Sequence, residues 1–140
     1  MLNIFLIAIG GALGSVSRYI VSQMVTRYMR VENFFKNSLV IFPASFPWST
    51  FAVNVIGSLL AGIAYYLMIK YFDIINPKMK NLLMIGFLGG FTTFSTFSLD
   101  FFRLFTAGQH VTAFFYAFLS FTISILALFF GFYLTKLILT

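Results

Sequence analysis

The sequence predicts an all-α integral membrane protein in which four transmembrane helices form one domain, residues 1–140. Composition is the first observation: 61% of the 140 residues are hydrophobic and only 9% are charged. That balance leaves too little polar surface for a water-soluble domain of this size. The second observation is that four long apolar segments contain almost no charged residues. The expected surroundings are therefore a lipid bilayer.

The apolar segments give the order of the predicted helices. At about 1.5 Å rise per residue, each is long enough to cross a hydrocarbon core of about 30 Å. Arg18 is the single charged residue within them. The segments comprise residues 2–26, 37–69, 81–99 and 111–135.

Two prolines set the start of the second helix. The second apolar segment is too long for one span, and Pro43 and Pro47 interrupt its first part. We therefore expect the helix to begin near Trp48 or Ser49, with the side chain of Ser49 or Thr50 as its N-cap.

The preceding loop, expected at residues 28–47, is rich in phenylalanine. Such a segment is expected to lie at the membrane surface rather than free in water. Its phenylalanines are Phe34, Phe35, Phe42 and Phe46.

Basic residues in short loops normally decide which way a membrane protein inserts. With four spans, one side holds Lys70, Lys78, Lys80 and Lys136, and the other holds Arg27, Arg30, Lys36 and Arg103. This tie allows insertion either way up, so two opposite copies can pair about an axis in the membrane plane. A four-helix bundle fills its own centre with side chains, so transport would need an interface between copies. The charge count is compatible with an antiparallel, dual-topology homodimer, and it leaves insertion one way up as the alternative.

The third apolar segment contains the most informative motif, Gly86-Phe-Leu-Gly-Gly-Phe-Thr-Thr-Phe-Ser-Thr-Phe-Ser98. Glycine costs about 1 kcal/mol relative to alanine in a helix, and β-branched residues lose rotamers there. Gly89 and Gly90, followed by Thr92 and Thr93, therefore predict a broken third helix. Carbonyl groups freed at mid-membrane must face protein, water or a bound cation. The alternative is that the glycines only permit close helix packing.

Aromatic and hydroxyl side chains alternate after the predicted break. An anion that crosses lipid needs donors in place of its hydration shell, and donors that are too strong would not release it. Hydroxyl groups, amide NH₂ groups and the edges of aromatic rings are weak donors of this kind. The run therefore indicates an anion pathway, formed by Phe94 and Phe97 with Thr93, Ser95, Thr96 and Ser98.

Other helices supply polar side chains at helical spacing. Asn54 is expected either to join two helices or to line a pathway. Arg18 is expected to reach the membrane interface or, if it turns inward, to concentrate anions in a vestibule. A stripe on the fourth helix recurs every four residues, although membrane hydroxyls often bond only their own helix carbonyls. It consists of Thr112, Tyr116, Ser120 and Ser124.

The composition argues against an enzyme and against nucleic-acid binding. The chain has no cysteine and one histidine, His110, so its apolar spans offer no constellation for a catalytic site. The nine Lys and Arg residues are scattered between apolar segments, unlike the basic patch of a nucleic-acid-binding protein.

Three motifs resemble the Fluc, or CrcB, fluoride channel family. They lie in the first three helices, and the fourth helix adds the family's spacing at Tyr116, Ser120 and Ser124. Ser15 and Ser49 stand where the family often has Ala and Gly. The motifs are Gly10-Gly-Ala-Leu-Gly-Ser-Val-Ser-Arg-Tyr19, Ser49-Thr-Phe-Ala-Val-Asn-Val-Ile-Gly57 and Gly89-Gly-Phe-Thr-Thr-Phe-Ser-Thr-Phe-Ser98.

The resemblance implies a fluoride-selective channel that exports fluoride passively from the cytoplasm. It implies a multi-pass protein of a bacterial cell (inner) membrane, built as a dual-topology homodimer around a structural sodium ion (Na⁺). The sodium would lie on the backbone carbonyls of Gly89 and Thr92, and Arg18 would belong to the vestibule. The fluoride pathway would comprise Asn54, Phe94, Phe97, Ser95, Thr96, Ser98, Tyr116, Ser120 and Ser124.

Two other membrane functions remain as alternatives. A small multidrug-resistance-type exporter also has four short helices, but it needs a carboxylate within the membrane for proton exchange. None of Glu32, Asp73 and Asp100 is expected at mid-span. A structural membrane subunit fits the composition, yet it gives no reason for the run of phenylalanine and hydroxyl residues.

Overall fold

The computed structural model describes residues 1–31, 45–71 and 77–140. These ranges are helical and contain no strand, and four of their helices are long and apolar enough to cross a membrane. The prediction of four spans is confirmed. The elements are α1 (Leu2–Val31), α2 (Trp48–Lys70), α3 (Pro77–Lys80), a π-helical stretch (Asn81–Leu88), α4 (Gly89–Phe91), α5 (Phe94–Thr106) and α6 (His110–Leu139).

The third span (Lys78–Thr106) contains all the elements from α3 to α5. Its first half packs on α1 through glycines. A Cβ on Gly10 would overlap the Leu82 carbonyl oxygen, and one on Gly14 would overlap that of Phe87. A Cβ on Gly90 would lie 3.0 Å from the Gly11 Cα. Glycine therefore permits the backbones of α1 and the third span to touch.

Helices α2 and α6 form the second close pair. A Cβ on Gly62 would overlap the Leu128 carbonyl oxygen, and one on Gly131 would overlap that of Leu59. At the C-terminal ends of both helices, Lys70 Nζ donates to the Leu139 carbonyl oxygen. The two glycines, one on each helix, bring α2 and α6 into contact along their second halves.

Helix α2 begins at Trp48, as the prolines predicted, but its predicted cap is wrong. Pro47 occupies the N-cap position, and no side chain caps the helix. The Thr50 hydroxyl instead donates to Asp100 Oδ2 of α5 at 2.6 Å. A carboxylate acceptor on a neighbouring helix gives Thr50 a charge-assisted bond, which is stronger than a bond to its own backbone.

The predicted break in the third span is present, at Thr92 and Thr93. Both residues have extended backbones, with φ/ψ of −76°/156° and −149°/112°. Gly89, by contrast, is helical at −63°/−34°. The glycines are therefore not the interruption itself. Gly90 serves the packing against α1, and the helix ends two residues later.

One residue of the first loop differs from expectation. Phe46 was expected at the membrane surface, but it is 4% exposed and packs in a cluster with Leu104, Ala113 and Tyr116. Its ring gains more from burial between aromatic neighbours than from the interface. The predictions for Phe34, Phe35 and Phe42 lie outside the described residues.

Candidate functional site

An open groove of about 490 Å³ runs between α2, the third span and α6. Helices from both close pairs contribute to it, so the groove crosses the centre of the subunit. Eight of the residues predicted from the sequence line it: Asn54, Gly89, Thr92, Thr93, Phe94, Phe97, Ser120 and Ser124.

Asn54 holds the break of the third span. Its Oδ1 accepts from the Thr93 N–H at 2.9 Å, and its Nδ2 donates to the Thr93 carbonyl at 3.1 Å. A backbone N–H without a helical partner would be costly in a membrane. The amide of Asn54 satisfies the Thr93 N–H and adds a bond to the Thr93 carbonyl, and the pairing fixes which end of the amide is oxygen and which is nitrogen.

Thr93 in turn caps the second half of the span. Its Oγ1 accepts from the Thr96 N–H at 3.2 Å and donates to Thr96 Oγ1 at 2.9 Å. Ser95 Oγ lies 3.3 Å from the same oxygen. Thr93 is 7% exposed, so these bonds are sheltered. Helix α5 therefore begins at a threonine N-cap, a preferred residue at such positions.

The break changes the surroundings of the two carbonyls predicted to hold sodium. In a continuous helix, Gly89 O would accept from the Thr93 N–H and Thr92 O from the Thr96 N–H. Thr93 N donates to Asn54 and Thr96 N donates to the Thr93 side chain instead. Gly89 is exposed within the subunit and lines the groove. Two carbonyl oxygens whose usual donors are diverted fit a monovalent cation, which takes oxygen ligands without requiring a carboxylate.

Side-chain metal ligands are not gathered anywhere in the described ranges. Within residues 1–31, 45–71 and 77–140, no group of three His, Asp or Glu side chains is placed to hold a metal. A cation at this break would therefore be held by backbone oxygens.

The stripe on α6 contains buried hydroxyl groups without hydrogen bonds. The oxygens of Tyr116, Ser120 and Ser124 are all buried and have no partner of acceptable geometry in the described part of the chain. Thr92, Thr106 and Thr135 instead donate to carbonyls of their own helices, at 2.7 to 3.2 Å. The back-bonding alternative therefore fails for Ser120 and Ser124. The Tyr116 hydroxyl lies close enough to those of Thr50 and Ser120 to interact with them. A buried hydroxyl without a good hydrogen bond costs about 1–3 kcal/mol, so water or a ligand is expected along this line.

Aromatic rings continue from the groove toward the start of α6. The centroid of Phe94 lies 5.5 Å from that of Phe97, which lies 5.3 Å from Tyr116. Phe94 is 80% exposed within one subunit, whereas Tyr116 is fully buried. Phe97 therefore packs against the buried Tyr116, whereas Phe94 faces the exterior of the subunit.

Other predicted residues lie outside the groove. Ser95, Thr96 and Ser98 are exposed on α5, and the Ser98 hydroxyl donates to the Phe94 carbonyl at 3.0 Å. Tyr116 lies behind Phe97. Arg18 is half-buried on α1, one turn after Gly14, and is not among the residues that line the groove.

Gly57 is a groove residue whose role the sequence alone did not reveal. A Cβ there would overlap Thr92 Cγ2 and lie 3.1 Å from the Phe91 ring. Gly57 follows Asn54 by three residues and so lies on the same face of α2. The spacing could have identified Gly57 from the sequence, since it places a small residue beside the Asn54 amide, which bonds to Thr93 at the break.

Comparison with known proteins supports the resemblance drawn from the motifs. The family model described as CrcB-like protein, Camphor Resistance (CrcB), matches residues 5–132. A protein of Rhizobium etli named fluoride-specific ion channel FluC is 42% identical over 94% of both chains. Proteins of the same name from Hahella chejuensis and Bacteroides fragilis are 38% and 40% identical, over 95% and 96% of this chain and 94% and 96% of their own. A family match over most of the chain and relatives of this similarity together establish that the chain belongs to the CrcB family.

Proposed function

We propose that the chain is a fluoride-selective ion channel that mediates passive fluoride export from the cytoplasm. The observation that carries the proposal is the groove, where the unpaired hydroxyls of Ser120 and Ser124 meet the Phe94 and Phe97 rings. The relatives' name, fluoride-specific ion channel, agrees with this chemistry. The role is conduction down a gradient, without catalysis.

The groove offers donors without full positive charge. A small anion that enters loses water, and hydroxyl hydrogens and ring edges replace part of that hydration. The second N–H of Asn54 Nδ2 remains after the bond to Thr93, because an amide NH₂ has two donors. Since Oδ1 is held by the Thr93 N–H, Asn54 offers the groove a donor and keeps its oxygen occupied. These side chains favour an anion, whereas the backbone oxygens of Gly89 and Thr92 at the break favour a cation.

Fluoride efflux from liposomes tests the proposal. Purified protein is reconstituted in vesicles loaded with potassium fluoride, and an ion-selective electrode follows release after valinomycin is added. We expect rapid fluoride release, and chloride-loaded vesicles measured in the same way should retain their chloride. Equal release of the two halides, or no fluoride release from vesicles shown to contain folded protein, would contradict the proposal.

We further propose that the channel is a homodimer. The outer face of α5 presents Phe94, Ser95, Thr96 and Ser98 to the exterior of a single subunit. Hydroxyl groups that face hydrocarbon are unfavourable, whereas a second copy can bury them against its own α5 or groove. A two-fold pair would use the same face of both copies.

The charge tie supports opposite orientation of the two copies. Adding two lysines beside Lys78 should bias every copy toward one orientation and abolish fluoride flux. Co-expression with an oppositely biased variant should restore the flux. Full activity of a population fixed in one orientation would exclude the antiparallel arrangement.

A structural sodium ion at the break completes the proposal. In an antiparallel dimer, Gly89 O and Thr92 O of both copies would approach each other near the two-fold axis. When bound, sodium supplies positive charge that offsets the clustered carbonyl dipoles. The chain's own contribution is to free these oxygens by diverting the Thr93 and Thr96 N–H groups.

The exporter alternative gains no support from Asp100. This carboxylate accepts from Thr50 at 2.6 Å and lies 3.9 Å from Arg103. Asp100 lies in the middle of α5, is engaged by these two neighbours, and is not among the groove residues. We place the channel in a bacterial inner membrane as a multi-pass protein, in agreement with its four apolar spans and bacterial relatives.

A further inference from the structure

The line of unpaired hydroxyls is closed at one end. It runs from Ser124 through Ser120 to Tyr116 and so points toward the start of α6 at His110. Tyr116 is six residues from that start, or about 9 Å along a helix. The side chain is fully buried, so water outside the subunit does not touch it. An ion that followed the line would meet a barrier between Tyr116 and the nearer membrane surface.

Phe46 forms part of that barrier. Its ring centroid lies 5.4 Å from that of Tyr116, and the two planes meet at 87°. This distance is similar to the centroid distances between Phe94 and Phe97, 5.5 Å, and between Phe97 and Tyr116, 5.3 Å. Among the described residues, Phe46 is thus the fourth ring in a series of contacts that begins at Phe94 beside the break.

Phe46 differs from its neighbours in the element that carries it. Leu104, Ala113 and Tyr116 of the same cluster belong to α5 and α6, whereas Phe46 precedes α2 and lies in a turn. The neighbouring Ser45 hydroxyl donates to Gln109 Oε1 in the turn between α5 and α6. The Phe46 ring is held in place by Trp48 and Phe51 of α2, at centroid distances of 4.5 and 5.7 Å.

We propose that Phe46 is the constriction at this end of the fluoride path and limits how fast ions pass between Tyr116 and the aqueous phase. The proposal rests on the proposed channel function. Its ring covers Tyr116, and the path to the aqueous phase narrows beside it. Fluoride current through the channel is then set partly by this residue, which lies outside the helices that form the groove.

Phe46→Ala tests the proposal through single-channel current in planar bilayers. Removing the ring leaves space above Tyr116, so fluoride current should rise at least twofold. Phe132→Ala is the matched control: Phe132 is a half-buried phenylalanine of α6, packed on Tyr66 at 5.4 Å, toward the opposite end of the helix. Removing the Phe132 ring should leave the current within error of the native value.

An unchanged or reduced current in Phe46→Ala, or an equal rise in both variants, would overturn the proposal. If Phe46→Ala fails to fold, Phe46→Leu serves, with a smaller rise expected.

A thiol reporter separates this proposal from the channel function itself. The chain has no cysteine, so Ala113→Cys introduces a single thiol beneath Phe46. An anionic methanethiosulfonate reagent should modify it at least tenfold faster when Phe46→Ala is present. If the native protein carries no fluoride current, the proposed function fails, and this rate still reports whether Phe46 seals the cluster. Faster modification with unchanged current would mean that Phe46 covers Tyr116 without limiting conduction, which overturns the proposal.

Discussion

The side-chain amide of Asn54 on α2 pairs with both backbone polar groups of Thr93, the residue at which the third span is interrupted. The two bonds measure 2.9 and 3.1 Å and join residues 39 positions apart. The side chain thus gives the Thr93 N–H the partner that the interrupted helix does not supply, and it adds a bond to the Thr93 carbonyl. The interruption of the third span depends on a residue of another helix.

Asn54→Asp should keep one of the two hydrogen bonds to Thr93 and disrupt the other. The carboxylate keeps an acceptor for the Thr93 N–H but places a second acceptor against the Thr93 carbonyl. We expect a lower unfolding temperature in detergent and at least a tenfold loss of fluoride flux. Asn54→Leu removes both bonds, each worth about 1–3 kcal/mol when the partner stays buried, and should be less stable still. Native stability and flux in the aspartate variant would show that the pairing is dispensable.

A second test concerns the space between Gly57 and Thr92. Gly57→Ala places a methyl group against Thr92 Cγ2 and should displace the break, with reduced stability and flux. Thr92→Ser removes that methyl and keeps the hydroxyl that donates to the Leu88 carbonyl at 3.0 Å. The double variant should therefore recover part of the loss, measured as unfolding temperature and efflux. If Thr92→Ser gives no recovery, the contact does not set the position of the break.

The sequence predicted the spans and the existence of the break, because hydrophobic length and the Gly and Thr composition are local properties. It did not predict the position of the break, since the interruption at Thr93 depends on Asn54, a partner on another helix. Thr50 shows the same limit. Its position suggested a cap, and its actual partner is Asp100, 50 residues away. Long-range polar partners decide such details, and local propensity does not report them.

Ser120 and Ser124 should show opposite effects on stability and on function. Their hydroxyls are buried without hydrogen bonds, so alanine removes an unpaired polar group. We expect unfolding free energy to be unchanged or to rise by up to about 1 kcal/mol, while fluoride flux falls. Thr135→Val is the control, because Thr135 donates to the Gly131 carbonyl at 2.7 Å and lies outside the groove. Its flux should remain native. A loss of stability in the serine variants would indicate that these hydroxyls have structural partners.

Phe94→Ile and Phe97→Ile should both reduce fluoride flux severely, since isoleucine keeps apolar bulk but lacks the positive ring edge. Their effects on stability should differ. Phe94 is 80% exposed in a subunit, whereas the Phe97 ring packs 5.3 Å from Tyr116. We therefore expect only Phe97→Ile to lower the unfolding temperature of a dissociated subunit. Undiminished flux in both variants would assign the rings to packing alone.

Phe46 marks a different limit of sequence analysis. Four phenylalanines in the first loop suggested a surface segment, and nothing in the local pattern distinguished Phe46 from the others. Its burial depends on Leu104, Ala113 and Tyr116, which are more than 50 residues away. Ser120 and Ser124, by contrast, were predictable as a stripe because their four-residue spacing is local.

Sodium should stabilise the protein through the carbonyls at the break. The Gly89 and Thr92 oxygens lose their helical donors because Thr93 N bonds Asn54 and Thr96 N bonds Thr93 Oγ1. Protein purified without sodium should therefore unfold at a lower temperature, and adding sodium, but not N-methylglucamine, should restore the native unfolding temperature.

Thr93→Val tests the two oxygens. It removes the oxygen that accepts from the Thr96 N–H, and this N–H can then return to the Thr92 carbonyl. This variant should respond less to sodium. Thr106→Val, which loses only bonds to its own helix, should respond as the native protein does. If the native protein, Thr93→Val and Thr106→Val all respond equally to sodium, the cation does not bind at these carbonyls. If the native protein does not respond to sodium, the proposed site is refuted.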